Sequence, residues 1–121
     1  VVQVQVINLT RNVVLADRVE VAKTWLSRLQ GLLLRPGLAW KQGLILIPCN
    51  SVHTCFMKFN IDILFVDEQG KIVHLIEDVA PFKFLPVVRQ ARYVIELPAN
   101  TVNLSGTAVN DRLNLLPPML Q

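Results

Sequence analysis

Two strongly apolar runs, Ile61 to Val66 and Lys71 to Glu77, are separated only by Asp67-Glu68-Gln69-Gly70. Polar turn-formers between runs rich in β-branched residues predict a β-hairpin, with Gly70 taking the positive φ that closes it. An isolated hairpin is not stable, so the rest of the chain must cover its apolar faces. The material for that is present: 52% of the 121 residues are hydrophobic and the mean hydropathy is +0.42. A chain of this length and composition is read as one domain, residues 1–121, able to bury a core without disulfides or metal.

The flanking sequence adds strands. Val2, Val4 and Val6 alternate with Gln3 and Gln5, the period-2 pattern of a strand with one wet face. Asn8 to Asn12 predicts a turn and Val13 to Leu15 its hairpin partner, extended by Asp17 to Val21. The period then changes: Thr24 can cap, and Trp25, Leu29 and Leu32 with Leu26 and Leu33 predict a helix over about Thr24 to Leu33, interrupted late by Gly31 and stopped by Pro36-Gly37. Leu44 to Ile47 reads as a buried strand, Ala80 to Gln90 as a long loop, Arg92 to Leu97 and Arg112 to Leu115 as strands, and Asn100, Gly106 and Asn110-Asp111 as turns. Together these predict a mostly β fold, a small β-sandwich or partly open barrel of about seven short strands with one short α-helix packed against it.

Pro48 to Val66 concentrates the chemistry, with both cysteines, His53 and Asp62 inside an apolar run. Read as continuously extended, one parity places Met57, Phe59, Ile61, Ile63 and Phe65 in the core, and carried backwards it buries Cys55, His53 and Ser51 as well. A bend near Asn60 would change that register. In a continuous strand, two cysteines six residues apart stand about 20 Å from each other, beyond bridging range.

Charge narrows the partners. Residues 1–60 carry seven Lys/Arg against Asp17 and Glu20, and residues 61–121 five against seven acids. No two basic residues adjoin and no aromatic ladder lies between them, so nucleic acid is not an expected partner. No window resembles a membrane span. A first residue of Val is compatible with a cytoplasmic protein or with one exported after leader removal.

The runs Arg28-Leu29-Gln30-Gly31-Leu32-Leu33, Ser51-Val52-His53-Thr54-Cys55-Phe56-Met57-Lys58-Phe59-Asn60-Ile61-Asp62-Ile63-Leu64-Phe65-Val66 and Val94-Ile95-Glu96-Leu97-Pro98 resemble, in that order, the uncharacterised domain-of-unknown-function family numbered 192. The resemblance spans nearly the whole chain. Asn100 and Asn110 stand where the family has glycine, and Asn is the residue that best replaces glycine at left-handed backbone positions, so both turns are expected to persist. The resemblance implies a small, mostly β domain and no known activity.

The ligand-binding candidates are Arg28, Ser51, His53, Cys55, Asp62 and Glu96. Cys49, His53 and Cys55 offer a C-x3-H-x-C donor set for zinc, with Asp62 or water as fourth ligand. His53 and Asp62 beside Cys49 or Cys55 offer nucleophile chemistry. Neither carries a recognised motif, and no cofactor fingerprint is present. Structural roles are the stronger expectation: buried polar groups are nearly always paired, and Asp62 is expected to meet Arg28 or, alternatively, backbone amides. Glu96 is expected to meet Arg92 or Arg89, and His74 is read as a partly covered strand residue. Phe82, Phe84 and Leu85 with the tail LNLLPPML supply a surface for a protein partner or for self-association, or else fold back to close the barrel. The preferred function is a non-catalytic binding or accessory domain for an unknown small ligand or protein partner. The alternative is an enzyme or metal site built on His53, Cys55 and Asp62.

Overall fold

Alternation along Gln3–Asn8 survives as strand β1, with Val4, Val6 and Asn8 buried and Gln3 and Gln5 exposed, in a computed structural model that describes residues 3–33 and 35–118. The side chains of Trp25, Leu26 and Leu29 lie outside the described set, as do Val2 and the end of the tail from Met119. Strand β2 runs Val13–Ala22, longer than a simple hairpin partner, because its two edges serve different neighbours. One pairs antiparallel with β1; the other pairs in parallel with β3, Gln42–Leu46. Parallel neighbours need a crossover, and α1, Trp25–Gln30, lies within it.

That helix begins at Thr24, whose hydroxyl accepts from the Ser27 amide while Ser27 Oγ accepts from the Thr24 amide, a reciprocal capping box. It ends sooner than the periodicity predicts. Gly31 takes φ 46°, and the chain leaves the helix before Leu32 and Leu33.

The central hairpin forms as expected between β4, Ile61–Val66, and β5, Ile72–Val79, with Gly70 at φ 82°. Strand β6, Tyr93–Pro98, joins β4 to β3, and β7, Leu113–Leu116, lies on the far edge of β1. The result is one seven-stranded sheet in the order β5-β4-β6-β3-β2-β1-β7. It curls on itself. Residues from all seven strands, among them Val6, Val19, Ile45, Leu64, Ile72, Ile95 and Leu113, share one core. The outer strands of the order meet at one end, where Leu113 N donates to Gly70 O at 2.8 Å and Ile72 N to Asp111 O at 2.9 Å. The expected partly open barrel is this arrangement.

A second core covers the outside of the sheet. Leu44, Leu46, Ile61, Ile63, Phe65 and Val94 pack there beneath Leu32 and Met57. Strand β4 is therefore buried on both faces, which explains its unbroken apolar run. Parity nevertheless misplaces what precedes it. The strand starts only at Ile61; before it Phe56 adopts φ 65° and the chain leaves the extended path. Ser51 and His53 are consequently exposed and Cys55 half-buried, correcting the expectation that all three face inward.

Asn100 at φ 78° and Gly106 at φ 70° do turn the chain, but they bracket a five-residue helix, α2, Thr101–Ser105, that the sequence pattern conceals. Asn110 also keeps a left-handed conformation, φ 80°. Helix α2 turns Val102 into the inner core. In the final strand Leu113 is buried and Leu115 packs against that core, so this part of the tail folds back, while Leu116 remains 43% exposed.

Candidate functional site

Short α1, the break at Gly31 and the irregular course of residues 48–60 leave a cleft of about 270 Å³ on the outer face of the sheet. Arg28, Gly31 and Leu33 contribute one wall; Cys49, Ser51, Val52, His53 and Met57 the other; Leu46 and Glu96 rise from the strands. Glu96 reaches it by strand alternation. Ile95 and Leu97 point into the barrel, so Val94 and Glu96 point out, and Glu96 is flanked across the sheet by Leu44 and Ile63.

The environment of this carboxylate is unusual. Glu96 is 3% exposed, and its Oε1 has no hydrogen-bond partner among the described residues. Buried carboxylates normally have partners, since desolvating the charged form is costly. Burial accordingly raises the Glu96 pKa to about 7, partly opposed by the positive charge of Arg35. Arg35, a cation the sequence does not single out, thus acts on Glu96, and its guanidinium also bonds Glu20 at 3.2 Å. Burial likewise raises the Cys49 thiol, with the Glu96 charge adding to the effect and Arg28 opposing it. The thiol donates to Ser51 O at 3.2 Å.

Four of the six sequence candidates, Arg28, Ser51, His53 and Glu96, line this cleft. His53 Nδ1 accepts from the Cys55 amide at 3.2 Å, which leaves Nε2 to carry the proton in the neutral ring. Arg28 does not pair with Asp62; it donates to Lys23 O at 2.7 Å. Asp62 has the same parity as Leu64 and Val66, whose side chains enter the barrel, the face opposite the cleft. Its two oxygens accept from Asp78 N and Val102 N, each at 2.8 Å. The backbone-amide alternative therefore describes Asp62, and His53, Cys55 and Asp62 do not converge. Among the described residues no group of three His, Cys, Asp or Glu side chains is placed to hold a metal ion.

Cys49, which the sequence offers as a zinc donor or nucleophile and not among the six ligand-binding candidates, also lines the cleft, together with the apolar side chains of Leu33, Val52 and Met57. Cys49 had a signal, its place three residues after β3; the apolar lining had none, because its residues look like ordinary core.

The DUF192 family pattern, described as "Uncharacterized ACR, COG1430", matches residues 6–115. The chain belongs to DUF192. This DUF192 chain is 30% identical over 113 residues to a UPF0127 protein of Thermococcus sibiricus, covering 89% of this chain and 72% of that protein. A UPF0127 protein of Pyrococcus furiosus is 29% identical over 115 residues, covering 88% and 94%. A protein of unknown function from Novosphingobium aromaticivorans, 22% identical, has the same fold with a TM-score of 0.80 over 93% of this chain and 84% of its own. A Sinorhizobium meliloti structure, described as a "putative transcription regulator", is 26% identical with a TM-score of 0.78, covering 94% and 92%.

Proposed function

We propose that this DUF192 domain is a non-catalytic binding module that takes a small amphiphile into the cleft beside α1, with Glu96 as the recognition group on its floor. The observation that carries this reading is the buried Oε1 without a hydrogen-bond partner among the described residues, in a cavity whose lining sets Leu32, Leu33, Leu46, Val52 and Met57 beside several polar side chains. Such a site favours a ligand that brings a hydrogen-bond donor, an ammonium or hydroxyl head, to Glu96 and lays an apolar portion against Leu33, Leu46 and Met57. Arg28, Gln30, Ser51 and His53 are then the polar groups along the walls.

The alternative, catalysis or metal binding at His53, Cys55 and Asp62, loses support because Asp62 faces the barrel with both oxygens engaged. Nucleic acid stays outside the proposal: the helices span six and five residues, short of what a groove-reading helix offers. Among the described residues no helix is long and apolar enough to cross a membrane.

Amide-resolved NMR titration with matched alkylamines, alkyl alcohols and alkyl carboxylates tests the reading. Donor-headed ligands are expected to shift Gly31, Leu33, Cys49 and Val52, and Glu96→Gln to weaken the amine at least tenfold. Shifts scattered away from the cleft, or equal affinity in the variant, would overturn it.

A further inference from the structure

A second feature lies beside the cleft. Residues 50–54 and 82–88 run against each other as an irregular ribbon, and buried Thr54 stitches them together. Its amide donates to Lys83 O at 2.8 Å and its carbonyl accepts from Phe82 N at 3.0 Å. Its hydroxyl donates to Ala80 O at 2.7 Å and accepts from Lys83 N at 2.9 Å. Every polar group of Thr54 is thus spent on fixing two loop tips.

What these tips display is aromatic. Phe56 is 69% exposed, Phe82 64% and Phe84 81%. Phe56 and Phe82 have φ of 65° and 64°, a region that bulky residues seldom occupy, and their rings meet edge to face with centroids 5.8 Å apart. Backbone strain held by a rigid scaffold to present exposed rings points to function rather than to core packing. The charges within the two loops themselves have one sign: residues 49–61 and 79–95 hold Lys58, Lys83, Arg89 and Arg92 and no Asp or Glu. Lys58, Lys83 and Arg89 are exposed. The acids that adjoin these ranges are Asp62 and Glu96, both buried, and exposed Asp78, which accepts from Asn60 Nδ2 at 2.9 Å.

We infer that these two loop tips are a docking surface for an anionic lipid bilayer. Phe56, Phe82 and Phe84 enter the interfacial zone, and Lys58 and Lys83 meet the headgroup phosphates. Rings as exposed as these protrude, and a bilayer interface receives protruding rings without a complementary pocket, whereas a second protein would have to supply one. Interleaved lysines complement an anionic leaflet. The inference stands apart from the proposed cleft ligand.

Co-sedimentation of the full chain with phosphatidylcholine vesicles, and with vesicles containing about 30% phosphatidylserine, tests it, and two lysines near the surface predict about 30-fold tighter binding to the anionic set. Phe84→Ser with Phe82→Asn, which suits the left-handed backbone, is expected to lower that binding at least tenfold, and Lys58→Glu with Lys83→Glu to abolish the lipid preference. Circular dichroism confirms folding of each variant. Failure of the wild type to sediment with anionic vesicles would overturn the inference. So would a dimer in sedimentation velocity that Phe84→Ser dissociates, since the patch would then be a self-association surface.

Discussion

The Glu96 carboxylate lies against Gly31: a Cβ placed on Gly31 would stand 4.0 Å from Glu96 Oε1 and 3.9 Å from the Leu44 side chain. The glycine that ends α1 and the acid of β6, far apart in the chain, are two sides of one cleft. Space at Gly31 is adequate for a methyl group, but its backbone is not: φ 46° with ψ −128° is territory left to glycine. Gly31→Ala is expected to cost about 1–3 kcal/mol, read as a lowered urea midpoint with unchanged slope.

Glu96 makes stability depend on pH in a direction that can be stated. Its pKa rises from 4.5 to about 7 in the folded chain. Between those values the folded state keeps a proton that the unfolded state has released, so stability falls as pH rises. The full difference is about 3 kcal/mol. Urea unfolding at about pH 5 and about pH 8 should show Glu96→Gln with a correspondingly smaller loss than wild type. Parallel losses in both proteins would count against a neutral Glu96.

Asp62 holds two distant segments through the amides of Asp78 and Val102. Asp62→Ala leaves the buried Val102 amide and the partly buried Asp78 amide without their acceptor, and at about 1.5–3 kcal/mol per charge-assisted bond the expected loss is up to about 3–6 kcal/mol. Asp62→Asn, which retains one acceptor oxygen, should lose about half of that. Equilibrium denaturation distinguishes these values, and equal losses would be the unexpected result.

Closure of the barrel at Gly70 invites a local test. A Cβ there would lie 2.8 Å from Leu113 O, on a backbone with φ 82°. Gly70→Ala should therefore loosen the seam between β5 and β7 before it loosens the centre of the sheet. Hydrogen exchange should accelerate at the amides of Ile72 and Leu113 and stay unchanged at Ile63 and Ile95.

Asp111 governs the acid side. Burial alone would raise its pKa, but hydrogen bonds from Arg11, Asn8 and the Ala108 amide outweigh it and lower the value below 3.8. The carboxylate's contribution is present above its unfolded pKa and is lost as pH falls through the lower, folded one. Asp111→Asn should flatten the acid limb of a stability profile below about pH 4, measured by thermal unfolding.

Much of the fold was legible because its signals are local. The alternation of Val4 and Val6 with Gln3 and Gln5, the turn at Gly70 and the left-handed positions at Asn100 and Asn110 each follow from neighbours in the chain. Helix α2 has no sequence signature because five residues between two turns carry no periodicity. Parity failed for Ser51, His53 and Cys55 because a strand pattern assumes continuity, and a positive φ at Phe56 breaks it.

For the site, composition marked the residues that matter, and packing assigned their roles. An acid within an apolar strand is conspicuous at Asp62 and at Glu96, and nothing local separates the two. Alternation sends Asp62 into the barrel, where Val102, forty residues on, supplies an amide. It sends Glu96 outward, against Gly31 where α1 ends, and there its Oε1 meets no hydrogen-bond partner among the described residues. Period and turn chemistry act between adjacent residues and can be read along the chain; a partner, or the lack of one, depends on which distant segment packs over a side chain, and only the folded sheet decides that.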